Sequence, residues 1–577
     1  MRDAYQQLQT MLHDALPNGQ GKDTISTDSI AMELAKHQDF GDVSTNIALR
    51  LTKAYAMTAL ELAHKIKTTL DKHPSIKHVD VAGPGFLNIT CEEHFWHQQL
   101  AAIISAGKEW IRSDIGKGEK INIEYVSANP TGPMHVGHAR GAVFGDVLAN
   151  MLTKANFNVT REYYMNDAGV QIAHLTDSVW WYYQKECGVT PPKPSDFYEG
   201  DHLRHVALSL IKRHDTQLLH MKDATRKQHI ETHVIDAMTT LIRQDLACLN
   251  IRHDVFFSEK SLHQNGEIEK TLHILHKKKL LYHGTLPPPK GMKKEDWTER
   301  PIYLFRAQQF GDSSDRPLQK DDGTWTYFAA DIAYHHTKWQ RGYHAMINIW
   351  GADHAGYVQR LQGALHAMSD GQGKLDVMLM AMVRLMKDGQ AVKLSKRLGH
   401  IVTLRTLVEQ TSRNAVRFLM LTRRHDAPLV FDLHTAILEN RDNPLFYVQY
   451  AHARCCSILR QATHAPDIPS QETAHPFPSL TSPHEIALIK ILAFWPEHCR
   501  DAVRMREPHR IPYLLTRTAE AFHILWTQGN RDKTMRFLDA GDKKRQKERL
   551  SLVKATQIML KEGLETLGIC ALDELRD

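Results

Sequence analysis

Lys120-Ile121-Asn122-Ile123-Glu124-Tyr125-Val126 alternates apolar and polar side chains, and leads into Ser127-Ala128-Asn129-Pro130-Thr131-Gly132-Pro133-Met134 and then His135-Val136-Gly137-His138. The alternation predicts a strand, the Pro/Gly-rich stretch a loop, and 135–154 a helix. A second strand is expected over 159–164. Strand, helix and strand within about 45 residues make a βαβ unit, whose crossover requires parallel strands. The helix start matters chemically. Its first N–H groups lack partners inside the helix and the dipole is positive there, so an anion such as a triphosphate is stabilised. His135 and His138, three residues apart, face one side of the first turn and can donate to phosphate oxygens as charge builds during displacement at phosphorus. Gly137 lets a flat base or ribose approach the backbone. Alone, an H-x-G-H string fits two packing or capping histidines equally well; its place after this strand and loop favours the phosphate site.

Working outward, the sheet is expected to resume over 344–350, followed by a loop at Gly351-Ala352-Asp353-His354 and a helix over 357–368. Asp353 and His354 then lie at the carboxyl end of a strand, where open α/β sheets bind ligands. A hairpin is expected over 378–386, turning at Lys387-Asp388-Gly389-Gln390 into 391–393. Residues 167–320, rich in Trp, Tyr and His without sustained alternation, read as an insertion. Upstream, helices are expected at 4–16 and 43–69, the second capped by Asp42 after Gly41. Strands flank the turn Gly83-Pro84-Gly85, a helix covers 95–106, and 116–120 reads as a linker. Beyond Thr403 the pattern is helix after helix, interrupted by a Pro-rich loop over 466–483. The fold class is therefore α/β: a small α/β domain (1–112), a Rossmann-like parallel-sheet domain with its insertion (113–400), a helical connector (401–440) and an all-α bundle (441–577).

Composition narrows the function. The 577 residues carry a net charge of +6, with 42% apolar and 24% charged residues. That is an ordinary globular balance, too weakly basic for an electrostatic wrapper of nucleic acid yet open to a local basic groove. No run approaches the roughly 18 apolar residues of a membrane span. The start, MRDAYQQLQTMLHDAL, reads as an amphipathic helix and not a signal peptide. The seven cysteines are scattered without a C-x-x-C. Neither a disulfide framework nor a structural zinc is expected, no metal ligand set is assigned among the 36 histidines, and a cytoplasmic setting is expected.

A second motif, Lys393-Leu394-Ser395-Lys396-Arg397, follows the hairpin. Three cations and a hydroxyl between Gly389 and Gly399 suit a mobile clamp on phosphates. Such a pentamer alone is usually a solvated surface; in order after the histidine motif it becomes specific.

These paired motifs resemble the HIGH and KMSKS signatures of class I aminoacyl-tRNA synthetases. More narrowly, Glu124–Gly141 as a whole, Glu162-Tyr163-Tyr164-Met165-Asn166-Asp167-Ala168-Gly169, Gly351–His354 and the NPLFYVQYAHAR run at 443–454 resemble the arginyl-tRNA synthetases. FGDVSTNIA at 40–48 and GPGFLN at 83–88 are similar to that family's N-terminal tRNA-contacting domain. The resemblance implies an enzyme that activates arginine with ATP, accompanied by Mg²⁺, and transfers it to the 3′ end of its tRNA. It implies Ser127, Asn129 and His138 on the amino-acid side, and His135, Gly137, His138, Asp353, His354, Lys393, Ser395 and Lys396 toward ATP. Ala128 to His138 form the HIGH-type motif, with His135, His138, Lys393 and Lys396 catalytic. A Tyr-x-x-x-Asp element, Tyr327 to Asp331, grips the guanidinium; a planar cation that never deprotonates needs a carboxylate and acceptors. Asn166 and Asp167 are further candidates. The motif departs from the family pattern at Leu394 and Arg397. Arg454, Arg460, Arg500, Arg504, Arg506, Arg510 and 543–547, with Tyr447, Tyr450, Trp526 and Phe537, read as an anticodon-binding surface. A monomer without membrane contact is the family expectation.

Overall fold

The computed structural model describes residues 2–23, 25–35, 40–285, 301–320, 322–392, 402–463, 477–538 and 542–575. The chain forms two units, one from 1–113, 439–506 and 510–577, the other from 114–438 with 507–509.

In the second unit, Lys120–Glu124, Asn158–Met165, Val255–Ser258, Ala345–Gly351 and Lys374–Met380 form one five-stranded sheet, parallel throughout. Numbered along the chain, their spatial order is 3-2-1-4-5, the doubly wound arrangement. The order reverses between Lys120–Glu124 and Ala345–Gly351, so the loops leaving these two strands flank the crevice where such sheets bind ligands. The helix Val136–Lys154 covers the sheet closely: a Cβ on Gly145 would stand 2.3 Å from the Tyr125 ring.

The alternation of 120–126 has an unexpected meaning. Ile121 and Ile123 are buried, but so are Asn122 and Glu124. The polar face is an internal ion network instead of a wet surface. Lys338, fully buried, donates to Glu124 at 2.7 Å. Arg341 clamps Glu162 with two bonds of 2.9 and 2.8 Å, and Asn122 and Tyr334 also donate to Glu162.

Several elements differ from expectation. Residues 167–320 are not wholly outside the sheet, because Val255–Ser258 is its edge strand. The expected strand 378–386 is two. Lys374–Met380 ends the parallel sheet, and Val383–Lys387 joins a second sheet after a break at Ala381 and Met382. That second sheet also contains Leu429–Asp432, a strand in a region expected to be all helix, paired parallel to Val383–Lys387. The turn at Asp388-Gly389 forms as expected, both residues having positive φ.

In the first unit, helix Ala4–Asp14 and helices Ile47–Tyr55, Ala59–Leu70 and Glu93–Ala106 accompany a four-stranded antiparallel sheet. Asp42 does not cap a helix. Val43–Thr45 is a strand, its β-branched residues paired with Phe86–Cys91, and the buried Asp42 carboxylate accepts from Cys91 N–H and the Trp96 indole while pairing with Lys490. The C-terminal helices are Pro444–Thr463, Pro483–Ala493, Trp495–Arg504, Arg510–Arg531 and Lys543–Thr566.

Candidate functional site

The site begins where Lys120–Glu124 ends. Val126 and Ser127 have φ of 72° and 38°, a region that costs a β-branched residue energy and is kept where the surroundings over-determine it. This bend turns the Ser127 hydroxyl back to donate to Glu124 (3.1 Å) while accepting from Tyr164 N–H (3.1 Å). Ser127 thus ties two neighbouring strands together. Asn129 lies on the same loop, its amide 3.3 Å from that of Asn166.

The loop closes on the helix start. His135 is the N-cap of Val136–Lys154; its Nδ1 accepts from Gly137 N–H, and His138 Nδ1 accepts from His135 N–H. The two rings stack at 4.0 Å. Capping and chemistry are therefore compatible. With both Nδ1 atoms accepting, each neutral imidazole carries its proton on Nε2, the donor a phosphate oxygen requires. Gly137 serves this arrangement directly, since a Cβ there would stand 2.9 Å from the His135 ring.

Met134, Val136 and their neighbours are held from two sides. Met134 N–H donates to the buried Asp245 (2.9 Å), whose other oxygen pairs with Arg405. Residues 402–404 lie alongside: Val136 N–H donates to Val402, Leu404 N–H to Met134, and His135 bridges Thr403. Lys393, Ser395, Lys396 and Arg397 lie outside the described residues, but the chain that follows them is bonded to the histidine motif. Arg140, buried in the same helix, donates to the carbonyls of Ala381, Arg424 and Ala427.

Asp331, one turn into helix Tyr327–Gln340, is half-buried and accepts from the Tyr357 hydroxyl at 2.5 Å. Burial pushes its carboxyl up to about 7, with Glu124 and Glu259 adding in the same direction. Glu259, which is buried, is pushed up to about 7 by desolvation, with Asp167 contributing and the Tyr164 hydroxyl opposing. Neither makes an ion pair with Lys or Arg among the described residues, in contrast to Glu124 and Glu162. Tyr327 is 62% exposed, and the hydroxyl on Asp331 is that of Tyr357.

Glu259 and Tyr357 were not expected. Glu259 directly follows the edge strand Val255–Ser258, and only recognition of that strand would have brought it to the site. Its supports were among the candidates. Asn166, its amide nitrogen facing Glu259, donates at 2.9 Å, and Asp167 accepts from the Ser258 hydroxyl and Lys260 N–H. Asp353 and His354 follow Ala345–Gly351 at the crevice, exposed and 3.5 Å from one another.

The C-terminal cations divide. Arg454 stacks between Tyr450 and Trp526, 4.3 and 4.6 Å from their rings. Arg500 and Phe537, expected from the sequence on the anticodon-binding surface, are not there: Arg500 is buried between Asp3 and Glu497, and Phe537 is buried too. No helix among the described residues is long and apolar enough to cross a membrane.

Comparison with known proteins adds an independent line. Residues 5–91 match the arginyl tRNA synthetase N-terminal domain, 99–428 the class I (R) tRNA synthetase catalytic domain, and 448–575 the DALR anticodon binding domain. An arginine–tRNA ligase of Azorhizobium caulinodans is 46% identical over 555 residues, 95% of this chain and 94% of that one. One of Rhodopseudomonas palustris is 44% identical over 573 residues, 97% and 95% of the two chains. The arginyl-tRNA synthetase structure of Thermus thermophilus shares the fold, with a TM-score of 0.73 at 20% identity over 99% of this chain and 100% of that chain.

Proposed function

The chain belongs to the arginyl-tRNA synthetase family and is a class I arginine–tRNA ligase, and we propose that Asp331 and Glu259 together receive the arginine guanidinium. The observation that carries this reading is the pair itself: the half-buried Asp331 carboxyl and the buried Glu259 carboxyl near one another, both pushed up to about 7 and neither ion-paired with Lys or Arg among the described residues. Burying them costs free energy that a planar dispersed cation offsets by bidentate, charge-assisted bonds. Tyr357 and Asn166 orient the two carboxylates, and Tyr327 stands at the rim.

ATP is the second substrate, entering as its Mg²⁺ complex. The arginine carboxylate attacks the α-phosphorus, pyrophosphate leaves, and arginyl-adenylate forms; the terminal ribose hydroxyl of tRNA then attacks the carbonyl and AMP leaves. His135 and His138 donate Nε2–H to the phosphate oxygens beside the helix start, with Gly137 open to the nucleotide. Lys393 and Lys396 neutralise the departing pyrophosphate, and Ser395 offers its hydroxyl to ATP. Ser127 and Asn129 shape the amino-acid end of the pocket, and Asp353 and His354 the ribose end. The work is positioning and electrostatics, so no nucleophilic side chain is needed. Segments 1–112 and 441–577 contact the tRNA outside the 113–400 domain, and the enzyme acts as a cytoplasmic monomer.

The test is pyrophosphate exchange and tRNA charging with each amino acid in turn, in the presence of total tRNA. Arginine alone should support both. In D331A the arginine requirement should rise far more than the ATP requirement; equal rises would remove Asp331 from the pocket.

A further inference from the structure

A second constellation lies in the C-terminal helices. His452 and Cys456 stand one turn apart on Pro444–Thr463, and Asp573 comes from the chain beyond Lys543–Thr566. One ligand-capable atom from each lies within 4.8 Å of the others. No metal ligand set is expected here from the sequence, because Asp573 is distant along the chain and nothing local points to it from His452 and Cys456.

The orientation of His452 is specific. The ring is fully buried, and Nδ1 sits 2.9 Å from the Leu572 carbonyl. A carbonyl can only accept, so Nδ1 carries the proton and Nε2 presents a lone pair. This is the arrangement that metal-ligating histidines adopt, with the second nitrogen held by a backbone carbonyl. Nε2 lies 3.9 Å from Cys456 Sγ, and Sγ lies 3.5 Å from Asp573 Oδ1. The Gln557 amide occupies the fourth corner, 3.4 Å from His452 Nε2 and 3.7 Å from Sγ. Its oxygen accepts from Lys554 Nζ at 3.1 Å, so it is the amide nitrogen that faces the group. Ligands about 2.0–2.3 Å from a tetrahedral zinc stand roughly 3.3–3.7 Å from one another; the Cys456–Asp573 separation of 3.5 Å lies within that range and the His452–Cys456 separation of 3.9 Å just above it.

We propose that His452, Cys456 and Asp573, with water in the fourth position in place of the Gln557 amide, bind a zinc-class divalent cation. The imidazole–thiolate–carboxylate set selects this class over magnesium or calcium, which take oxygen ligands. A thiolate and a carboxylate together balance the two positive charges, leaving a neutral site. As the metal–sulfur bond forms, the thiol proton leaves to solvent. The ion fastens Leu572–Glu574 to Pro444–Thr463. Asp573 and Glu574 also line a cavity of about 560 Å³ shared with Tyr450, Arg454, Trp526 and Phe537. Occupancy therefore fixes one wall of the aromatic cavity in the bundle. The site is independent of the adenylate-forming site and of its assignment.

The experiment is a Co²⁺ titration of the chelator-treated, full-length protein, followed by absorption and then by Zn²⁺ competition. One equivalent should produce a thiolate-to-cobalt charge-transfer band in the near ultraviolet with intense tetrahedral bands in the visible, both displaced by zinc. C456S should abolish the charge-transfer band. D573N, at an exposed position where folding is not in question, should weaken cobalt binding by ~10-fold or more. C570S, which removes an exposed thiol from the same tail, should change neither. Absence of the band at stoichiometric cobalt overturns the proposal and leaves a hydrogen-bonded network only. So does a band that survives C456S, one lost with C570S, or unchanged affinity in D573N.

Discussion

Asp245 and Arg405 are joined by a 2.7 Å ion pair, and the other Asp245 oxygen holds the N–H of Met134, the residue before the first signature histidine. One buried carboxylate thus connects the histidine motif to the helix that follows the lysine motif. D245A strands the Met134 N–H and should lower unfolding free energy by about 1–3 kcal/mol. D245N retains an acceptor and should lose less. In pyrophosphate exchange the order should be wild type, D245N, D245A. Equal activities in a folded D245A would mean that this connection does not position His135.

Arginine recognition should fail selectively at the carboxyl pair. E259Q and D331N each remove one charge from a buried charge-assisted contact, worth about 2–5 kcal/mol. Initial rates against each substrate should show the arginine KM rising by roughly 30-fold or more with the ATP KM changed little. Lysine should not replace arginine in either variant, because a single ammonium cannot span two carboxylates as a guanidinium does.

The same pair sets a pH dependence. Both carboxyls hold their protons more tightly folded than unfolded, so between an unfolded value of about 4 and a folded value of about 7 the native chain carries the extra protons. Their contribution to stability is therefore full at low pH and declines as pH rises through this window. Arginine favours the ionised pair, so its binding expels protons below pH about 7 and tightens as pH rises. The arginine KM should fall about tenfold or more between pH ~6 and ~8. Calorimetry in buffers of different ionisation heat should record proton release at the lower pH, diminished in D331N.

Breaking the internal ion network should be costly and partly reversible. K338M leaves Glu124 buried and unpaired, a loss of about 3–5 kcal/mol in chemical denaturation. The double variant with E124Q should recover much of it. An additive double variant would mean that the 2.7 Å contact carries no coupling.

What the sequence made legible follows the range over which its signals act. The strand at 120–124, the helix behind His135 and the parallel partner at 158–165 are written locally, in alternation, a Pro/Gly loop and a helical run. The Asp-Gly turn is equally local. Val255–Ser258 has only four residues and no polar alternation, and its identity as a strand depends on Asn158–Met165 lying beside it. With it went Glu259. Val43–Thr45 and Leu429–Asp432 fail for the same reason, since short strands are made by partners distant in sequence. At 378–386 the apolar run continues across Ala381 and Met382 while the chain changes sheets, and hydrophobicity alone does not mark that change. The Tyr357 hydroxyl reaches Asp331 from the turn before helix Val358–Met368, which packs on Tyr327–Gln340, and no local pattern marks that approach.

The first folded unit joins residues 1–113 to a bundle that starts only at 439. Tyr5 and Trp96 pack against Phe494, the Trp110 indole donates to Leu492, and Asp3 meets Arg500. During synthesis these groups emerge first and wait for partners made after the intervening 114–438. At ~5–20 residues per second that delay is on the order of tens of seconds. Throughout it, an apolar face with Trp96 and Trp110 is uncovered on the nascent chain, a window in which chaperone capture and self-association compete with completion of the fold.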